Sequence, residues 1–578
     1  MQNFWNKEKI LLLLIILFGA FFRLYGLNWD QGSHLHPDER AIVMFSLPLH
    51  FPSSVSEFLS VSSPLNPHFF AYGSFPLYLL KATGTFATIF NPQALSYDQI
   101  NLIGRFISAV FDTSTLLLIF LLGKKIFSKP VGLLGTFFYA ISVFPIQAAH
   151  FYAVDTILTF FILLTLYAII VFYERPTKIK AVFIGVLFGA SLATKTSALP
   201  LIISIGAALI SDFVLIFIKN PHRPRIWFPH LPKLLKTLFV EGVIIAIFTF
   251  VSFLILEPYA LLDFKEFWRQ TLEQSQMTRD AFAFPYTLQY VGKIPYLYEL
   301  KNIFLWGQGP ILAMISFIGI LYALFLVIKK KKEKKWAQEF ILLIFFLSYL
   351  VVVGKFAVGW MRYVLPLYPI LCLFGGLFAW QLLKFIQNKF SRHKFLILNF
   401  QFLILLVLLA WPLSFMHIYT QLNTRVLASE WIYKNIPADK IIAREHWDDG
   451  LPFGGKIEYE SLELPIYGMT DPLTEKEIRQ KIQETDYIII ASNRLYTPLQ
   501  RIAQNCKNWN ILQQRCPQNA NAYYQQLFNG KLGFKKVAEF ENPPTIPLLN
   551  VPIDDQGADE SFTVYDHPKI MIFKKTHL

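Results

Sequence analysis

The chain has 578 residues, 54% of them hydrophobic and 16% charged, with a formal net charge of +14. A soluble protein of this length could not hide so much apolar surface, so a bilayer must solvate much of it. The surplus positive charge lies in short loops between apolar runs, where it reads as a topological signal and implies no nucleic-acid partner.

A helix needs about 20 mostly apolar residues to cross the hydrocarbon. Eleven runs meet that need, at 10–27, 103–123, 131–149, 155–173, 181–197, 199–218, 237–256, 303–328, 338–354, 362–383 and 395–416. No small-residue cleavage site follows the first run, so it is a retained anchor and not a signal peptide. Lys7 and Lys9 precede it. Lys124, Lys125 and Lys129 follow the second run, and Arg175, Lys178 and Lys180 the fourth. Lys219, Arg223, Arg225, Lys233 and Lys236 follow the sixth, the Lys329–Lys335 run the eighth, and Lys384, Lys389, Arg392 and Lys394 the tenth. This positive-inside pattern puts the amino terminus in the cytoplasm and everything from about residue 417 outside.

Tyr72–Phe90 is apolar but interrupted by Pro76, Lys81 and Gly84. Counted as a span it would invert every later loop, so it is expected to lie in the outer interface. The outer loops 28–102 and 257–302 would then roof a transmembrane domain of residues 1–416. The tail, 417–578, alternates helix and strand patterns and predicts a small α/β domain. Ser429–Asn435 is helix-like, and Ile441–Ala443, Tyr487–Ala491 and Lys569–Phe573 are strand-like. Thr474 and Glu477 have capping-box spacing before a helix running to Glu484. Cys506 and Cys516 could pair if the tail lies outside the cytoplasm, whereas Cys372 falls within a span. The expected fold is a polytopic α-helical membrane protein with a C-terminal extracytoplasmic α/β domain.

The chemistry gathers on the outer side. Asp38 and Glu39 end His34-Leu35-His36-Pro37-Asp38-Glu39, directly after the first span, where acidic residues are costly without work or a partner. Asp155 ends the turn His150–Asp155, and Asp263 follows Glu257-Pro258-Tyr259 in the second outer loop. Lys195 and Arg362 lie at outer span ends, against the topological bias, which points to an anion. A sugar carried on a polyprenyl phosphate suits this set. Its phosphate leaving group needs charge neutralisation, and the weakly nucleophilic acceptor needs a carboxylate base. One base and one cationic clamp make an inverting displacement, whereas a retaining route would require a second carboxylate placed as nucleophile, a separation that sequence does not give.

The Asp38-Glu39 pair, Pro76-Leu77-Tyr78, Gly104-Arg105, His150-Phe151 with Asp155, Leu192-Ala193-Thr194-Lys195 and Arg362-Tyr363-Val364-Leu365-Pro366 stand in one order on the outer face. In that order the chain resembles the GT-C superfamily of membrane glycosyltransferases. The specific likeness is to the protein O-mannosyltransferases and their bacterial relatives, including the aminoarabinose transferase of lipid A. The resemblance implies a polyprenyl-phosphate-sugar donor and Asp38 as general base, with Glu39 and Asp155 supporting it. Arg105, Lys195 and Arg362 would bind the donor phosphate; His36, His150, Tyr259 and Asp263 would line the substrate site. The acceptor would be an extracytoplasmic glycan, lipid or protein, in a plasma membrane. The tail has no repeats resembling the lumenal β-trefoil of the mannosyltransferases. Its Glu445–Asp449 and Asp559–Phe562 segments resemble tails of other bacterial and archaeal members.

No cofactor is expected. His34, His36, Asp38 and Glu39 offer ligand types for a divalent metal, as do His446, Asp448 and Asp449, but the resemblance requires none. No glycine-rich phosphate loop precedes a helix, which argues against a soluble nucleotide-sugar donor. Outer aromatics such as Trp29, Tyr72, Trp268, Tyr286, Tyr290 and Trp306 fit an interfacial belt. Two other readings compete. A transporter or flippase of lipid-linked sugars would use charged groups within the spans, of which Asp112 is the example. In the other reading the spans are a scaffold and the tail is a binding module.

Overall fold

The computed structural model describes residues 7–329, 335–390 and 392–576. Most of the Lys329–Lys335 turn therefore lies outside the described residues. Long apolar stretches without breakers become long helices, with polar groups marking their ends. Tyr97–Ile126 is the longest helix, opening on Asp98 and closing on Lys124 and Lys125, charges that suit its dipole at both ends.

Among the described residues, eight helices are long and apolar enough to cross a membrane, or nine if one bent pair counts as a span. Of the eleven expected spans, two fall outside that set. Lys7–Leu24 carries Lys7, Glu8, Lys9 and Arg23, and Lys178–Thr194 has only 17 residues. The bent pair is Lys129–Ala140 with Val143–Ala149, which meet at 62° where the expected run 131–149 is broken. Pro145, which lacks an amide proton and crowds the preceding turn, stands just after that break. The expected run 303–328 is also divided. A π-helical turn, Ile303–Gly307, gives way at Gly309 (φ 78°) and Pro310 to the helix Pro310–Lys329. A side chain at Gly309 would collide with the Trp411 ring. Ser74–Ala87 is helical over 14 residues, too short to span the hydrocarbon.

The helices approach closely where both carry small residues, as membrane helices do. A Cβ on Gly123 would lie 2.5 Å from Gly132 Cα, and one on Gly376 would lie 2.6 Å from the Gly135 nitrogen. Within this packing Asp112 is fully enclosed and saturated. Arg23 Nε donates to one carboxylate oxygen at 2.5 Å and the Tyr139 hydroxyl to the other at 2.5 Å, tying three helices together. The two ends of the bundle differ chemically. At one end Lys125 pairs with Glu174 and Lys129 with Glu8, each at 2.6 Å. Asp38, Asp155, Lys195 and Arg362 gather at the other.

The tail forms a five-stranded mixed sheet in the order Ser461–Leu464, Ile442–Glu445, Tyr487–Ile490, Ile570–Lys575, Phe534–Phe540. The first two pairings are parallel and the last two antiparallel. Alternation along Tyr487–Ile490 sends Ile488 and Ile490 to one core and Tyr487 and Ile489 to another, so helices cover both faces. The expected capping box is corrected. Asp471 caps Pro472–Glu484 by accepting the Thr474 amide at 2.8 Å, because Pro472 is already the first helical residue. Cys506 and Cys516 are joined in a disulfide.

Bundle and tail exchange residues. Leu288 and Val291 of the second outer loop pack in a core of the tail, whereas Phe562, Val564 and Tyr565 of the tail pack in the core of the bundle. Gln147, on the short half of the bent pair, donates to the Phe562 carbonyl (2.7 Å) and to Asp566 (3.0 Å). Tyr419 donates to Asp566 (2.8 Å), and Tyr298 to Asp559 (2.7 Å).

Candidate active site

His36 caps the helix Pro37–Ser46, its Nδ1 accepting the Glu39 amide at 3.3 Å, and Pro37 supplies a helical φ at the first position. Asp38 and Glu39 thus fall in the first turn, where the helix dipole favours carboxylates. Successive helical residues point about 100° apart, and the acidic pair divides accordingly.

Glu39 turns inward and is fully buried. It accepts from Arg105 Nε (2.9 Å) and Nη2 (2.6 Å) and from the Tyr152 amide (2.9 Å). Arg105 also donates to Asp30 at 2.7 and 2.8 Å and to the Leu27 carbonyl at 2.8 Å, so every guanidinium N–H is engaged. Two carboxylates on one cation leave a buried net charge of −1. Burial works against ionised Asp30, but Arg105 and the Leu35 and Gly32 amides outweigh it and hold that carboxyl below its usual range. The cost falls on Glu39, whose carboxyl burial pushes up despite Arg105, with Asp30 adding to the rise. The cluster clamps the first outer loop onto the Tyr97–Ile126 helix.

Asp38 turns the other way. It forms an ion pair with Arg362 and accepts the Tyr72 hydroxyl at 2.7 Å. Arg362 lies in the turn Met361–Leu367, its guanidinium 5.4 Å from the Trp360 ring centre and 6.0 Å from that of Tyr363. Beside it stands a second pair, Asp155 with Lys195 at 2.7 Å. Asp155 opens the helix Asp155–Glu174, and Lys195 follows the carbonyl end of Lys178–Thr194, where a cation is favoured. Lys195 Nζ faces the Tyr363 ring at 4.7 Å and the Tyr72 ring at 5.9 Å. Tyr72 and Tyr363 therefore bridge the two pairs into one cluster. Burial keeps the Tyr72 phenol well above its ordinary range, so it stays a donor.

A narrow cavity adjoins the cluster, its wall including His36, Asp155, Thr156, Arg362, Ser561 and Tyr565. Thr156 Oγ1 and Arg362 Nε are buried there without a hydrogen-bond partner among the described residues.

Other residues expected at the site find partners elsewhere. His150 stacks on Tyr419 at 3.9 Å, with Nδ1 against the Ile146 carbonyl and Nε2 against the Tyr25 carbonyl, each at 2.8 Å. Tyr259 shares a hydrogen bond with the Ser63 hydroxyl (2.7 Å) and donates to the Phe58 carbonyl (3.0 Å). Asp263 accepts from Asn66 (2.9 Å) and meets His68 (3.2 Å), joining the two outer loops. The residues weighed as metal ligands diverge. His34 stacks on Tyr97 at 4.0 Å, and no group of three or more His, Cys, Asp or Glu side chains among the described residues stands ready to hold a metal. Sequence reasoning passed over Asp30 and Tyr565 entirely. Asp30 offered a weak signal, an acid just after the first span; Tyr565, far along the chain, offered none.

Residues 98–257 match the family model described as dolichyl-phosphate-mannose-protein mannosyltransferase. The matched stretch holds Arg105, Asp155 and Lys195 and covers 160 of the 578 residues. No curated protein matches the sequence. Among solved structures, the Archaeoglobus fulgidus oligosaccharyltransferase, crystallised with zinc and sulfate, is similar over 98% of this chain and 88% of its own, at 13% identity and a TM-score of 0.47. ArnT from Cupriavidus metallidurans, bound to undecaprenyl phosphate, is similar over 64% of this chain and 59% of its own, at 14% identity and a TM-score of 0.38. The S. cerevisiae protein O-mannosyltransferase Pmt1-Pmt2 complex, bound to its sugar donor, is similar over 46% of this chain and 35% of its own, at 15% identity and a TM-score of 0.31.

Proposed function

We propose that the chain is an integral-membrane glycosyltransferase that moves a sugar from a polyprenyl-phosphate carrier to an acceptor outside the cytoplasm. The observation that carries this reading is the convergence of Asp38, Arg362, Asp155 and Lys195 around Tyr72 and Tyr363. These residues come from separate stretches of a long chain, at the bundle end opposite the Lys125 and Lys129 pairs. The family match over residues 98–257 supports a lipid-phosphate donor.

Two cations suit the donor phosphate, whose departure needs negative charge neutralised. Asp38 suits the acceptor, whose hydroxyl or amine must lose a proton as it attacks. In the resting pairing Arg362 occupies Asp38. A phosphate drawing the guanidinium toward itself would free the carboxylate, so donor binding precedes activation of the acceptor. Asp155 stays engaged by Lys195, which leaves Asp38 as the one base and favours an inverting displacement over a retaining one. Arg105 is assigned to holding Glu39 and Asp30, since its donors are used up. The amino terminus is assigned to the cytoplasm and the tail to the outside, a compartment in which a Cys506–Cys516 disulfide persists.

The transporter reading loses its main residue, because both carboxylate oxygens of Asp112 are committed to Arg23 and Tyr139. The test uses purified protein and a panel of radiolabelled polyprenyl-phosphate sugars. At least one should lose its label to acceptor with the wild type, and Asp38→Asn should bind that donor normally while its transfer falls about a thousandfold or more. Turnover retained by Asp38→Asn would remove Asp38 from the base role; no transfer from any donor by the wild type would remove the reading itself.

A further inference from the structure

We propose that Tyr565, contributed by the tail, completes the transfer site by donating a hydrogen bond to the phosphate of the lipid carrier. This rests on the glycosyltransferase reading above. The small cavity beside the ion pairs has an apolar floor of Phe144, Ala148, Phe151 and Ala153, and polar groups of His36, Thr156, Arg362 and Tyr565 stand on its wall. Arg362 Nε and Thr156 Oγ1 lack partners there among the described residues, and Tyr565 stands on the same wall. His36, also on the wall, accepts an amide at Nδ1, which leaves the proton of a neutral ring on Nε2. The one carboxylate on the wall, Asp155, is already neutralised by Lys195. A cation with an unpartnered N–H beside hydroxyls that can donate suits an anionic oxygen, and the carrier phosphate is the anion this reaction supplies.

Tyr565 is held firmly enough to act as a fixed donor. Its ring lies 4.2 Å from that of His36 and 5.9 Å from that of Phe151. The next residue, Asp566, is fastened by Gln147 and Tyr419, and Asn423 donates to its carbonyl at 3.0 Å. Burial keeps the phenol above its ordinary range, so the hydroxyl holds its proton. In the transfer the acceptor oxygen bonds the anomeric carbon, and its proton passes to Asp38. The carbon–oxygen bond to the carrier breaks with its electron pair on the phosphate. Tyr565 keeps its proton throughout and stabilises the added charge.

The test is calorimetric binding of farnesyl phosphate and of farnesol to the full-length protein in detergent, wild type against Tyr565→Phe. Loss of one hydrogen bond to a charged group should weaken farnesyl phosphate about tenfold and leave farnesol unchanged. A purely structural role would move both ligands together. Equal changes for the two, or a change below about threefold for farnesyl phosphate, would overturn the assignment. Binding is read without turnover, so this result is independent of whether the donor panel shows transfer. A melting curve of Tyr565→Phe, which retains the ring contacts, should superpose on that of the wild type.

Discussion

Asp38 and Glu39 are neighbours with opposite fates, one meeting Arg362 at the partly open cluster and the other Arg105 in a buried one. Glu39 and Asp30 take every donor of Arg105 in a fully buried cluster. Removing that cation leaves two carboxylates buried without a counter-charge, an error worth about 3–5 kcal/mol. Arg105→Ala should therefore lose folded yield in detergent and melt far earlier, whatever the donor concentration. Arg362→Ala should melt near the wild type, because Arg362 and Asp38 are both partly open to solvent, 15% and 21%. Its defect should lie in donor binding and transfer. Size-exclusion profiles and melting curves of the two variants separate the roles; equal stability would refute the division. The acidic pair and both outer cations were legible from the sequence, since charge beyond a span stands out against apolar surroundings. The partner of each was not. Asp30 and Arg105 are 75 positions apart, and only the folded loop shows that this guanidinium is already spent.

At the scale of elements, apolar runs predicted helices well, and breaks followed residues visible in advance: Pro145, Gly309-Pro310, and Pro366 within its short turn. The tail was less legible. Its inner strand Tyr487–Ile490 is buried on both faces and reads as a continuous apolar run, whereas the edge strands Ser461–Leu464 and Phe534–Phe540 are mostly not buried and mix polar with apolar residues, which gave no run to see. Ile442–Glu445 ends in a carboxyl that no alternation rule would bury. Tyr524 donates to Glu445 at 2.5 Å, and burial pushes that carboxyl up to about 8; Glu560, likewise buried although paired with Arg494, is pushed up to about 7. Both values lie above the unfolded range near 4.5, so the unfolded chain gives up these protons first as pH rises. The stability that the protonated forms contribute is full below about pH 4.5 and lost as pH climbs through 7 to 8. The melting temperature of the full-length protein should fall between pH 5 and about pH 9, and Glu445→Gln should flatten that fall. A wild-type profile that rises over this interval would contradict the burial of both carboxyls as charged-form penalties.

At the scale of the molecule, bundle and tail are one packed body. Each places apolar side chains in the other's core, Leu288 and Val291 in one direction and Phe562 and Tyr565 in the other. That exchange disfavours the reading of the tail as a detachable binding module, and it makes orientation a property of the whole chain. If the lysine-rich turns face the cytoplasm, the tail and the site must face outward together. The native cysteines allow a clean measurement, because Cys506 and Cys516 are bonded to each other and Cys372 is buried. Single cysteines can then be introduced at Leu548, which is 100% exposed on the tail, and at Lys329, exposed at the end of its helix. In intact cells or spheroplasts an impermeant maleimide should label Leu548→Cys at once and Lys329→Cys only after the membrane is opened. Both positions lie away from the ion-paired cluster, so neither change should disturb transfer. Labelling of Lys329→Cys in sealed cells would turn the bundle over, and the reaction would then draw its donor from the cytoplasmic leaflet.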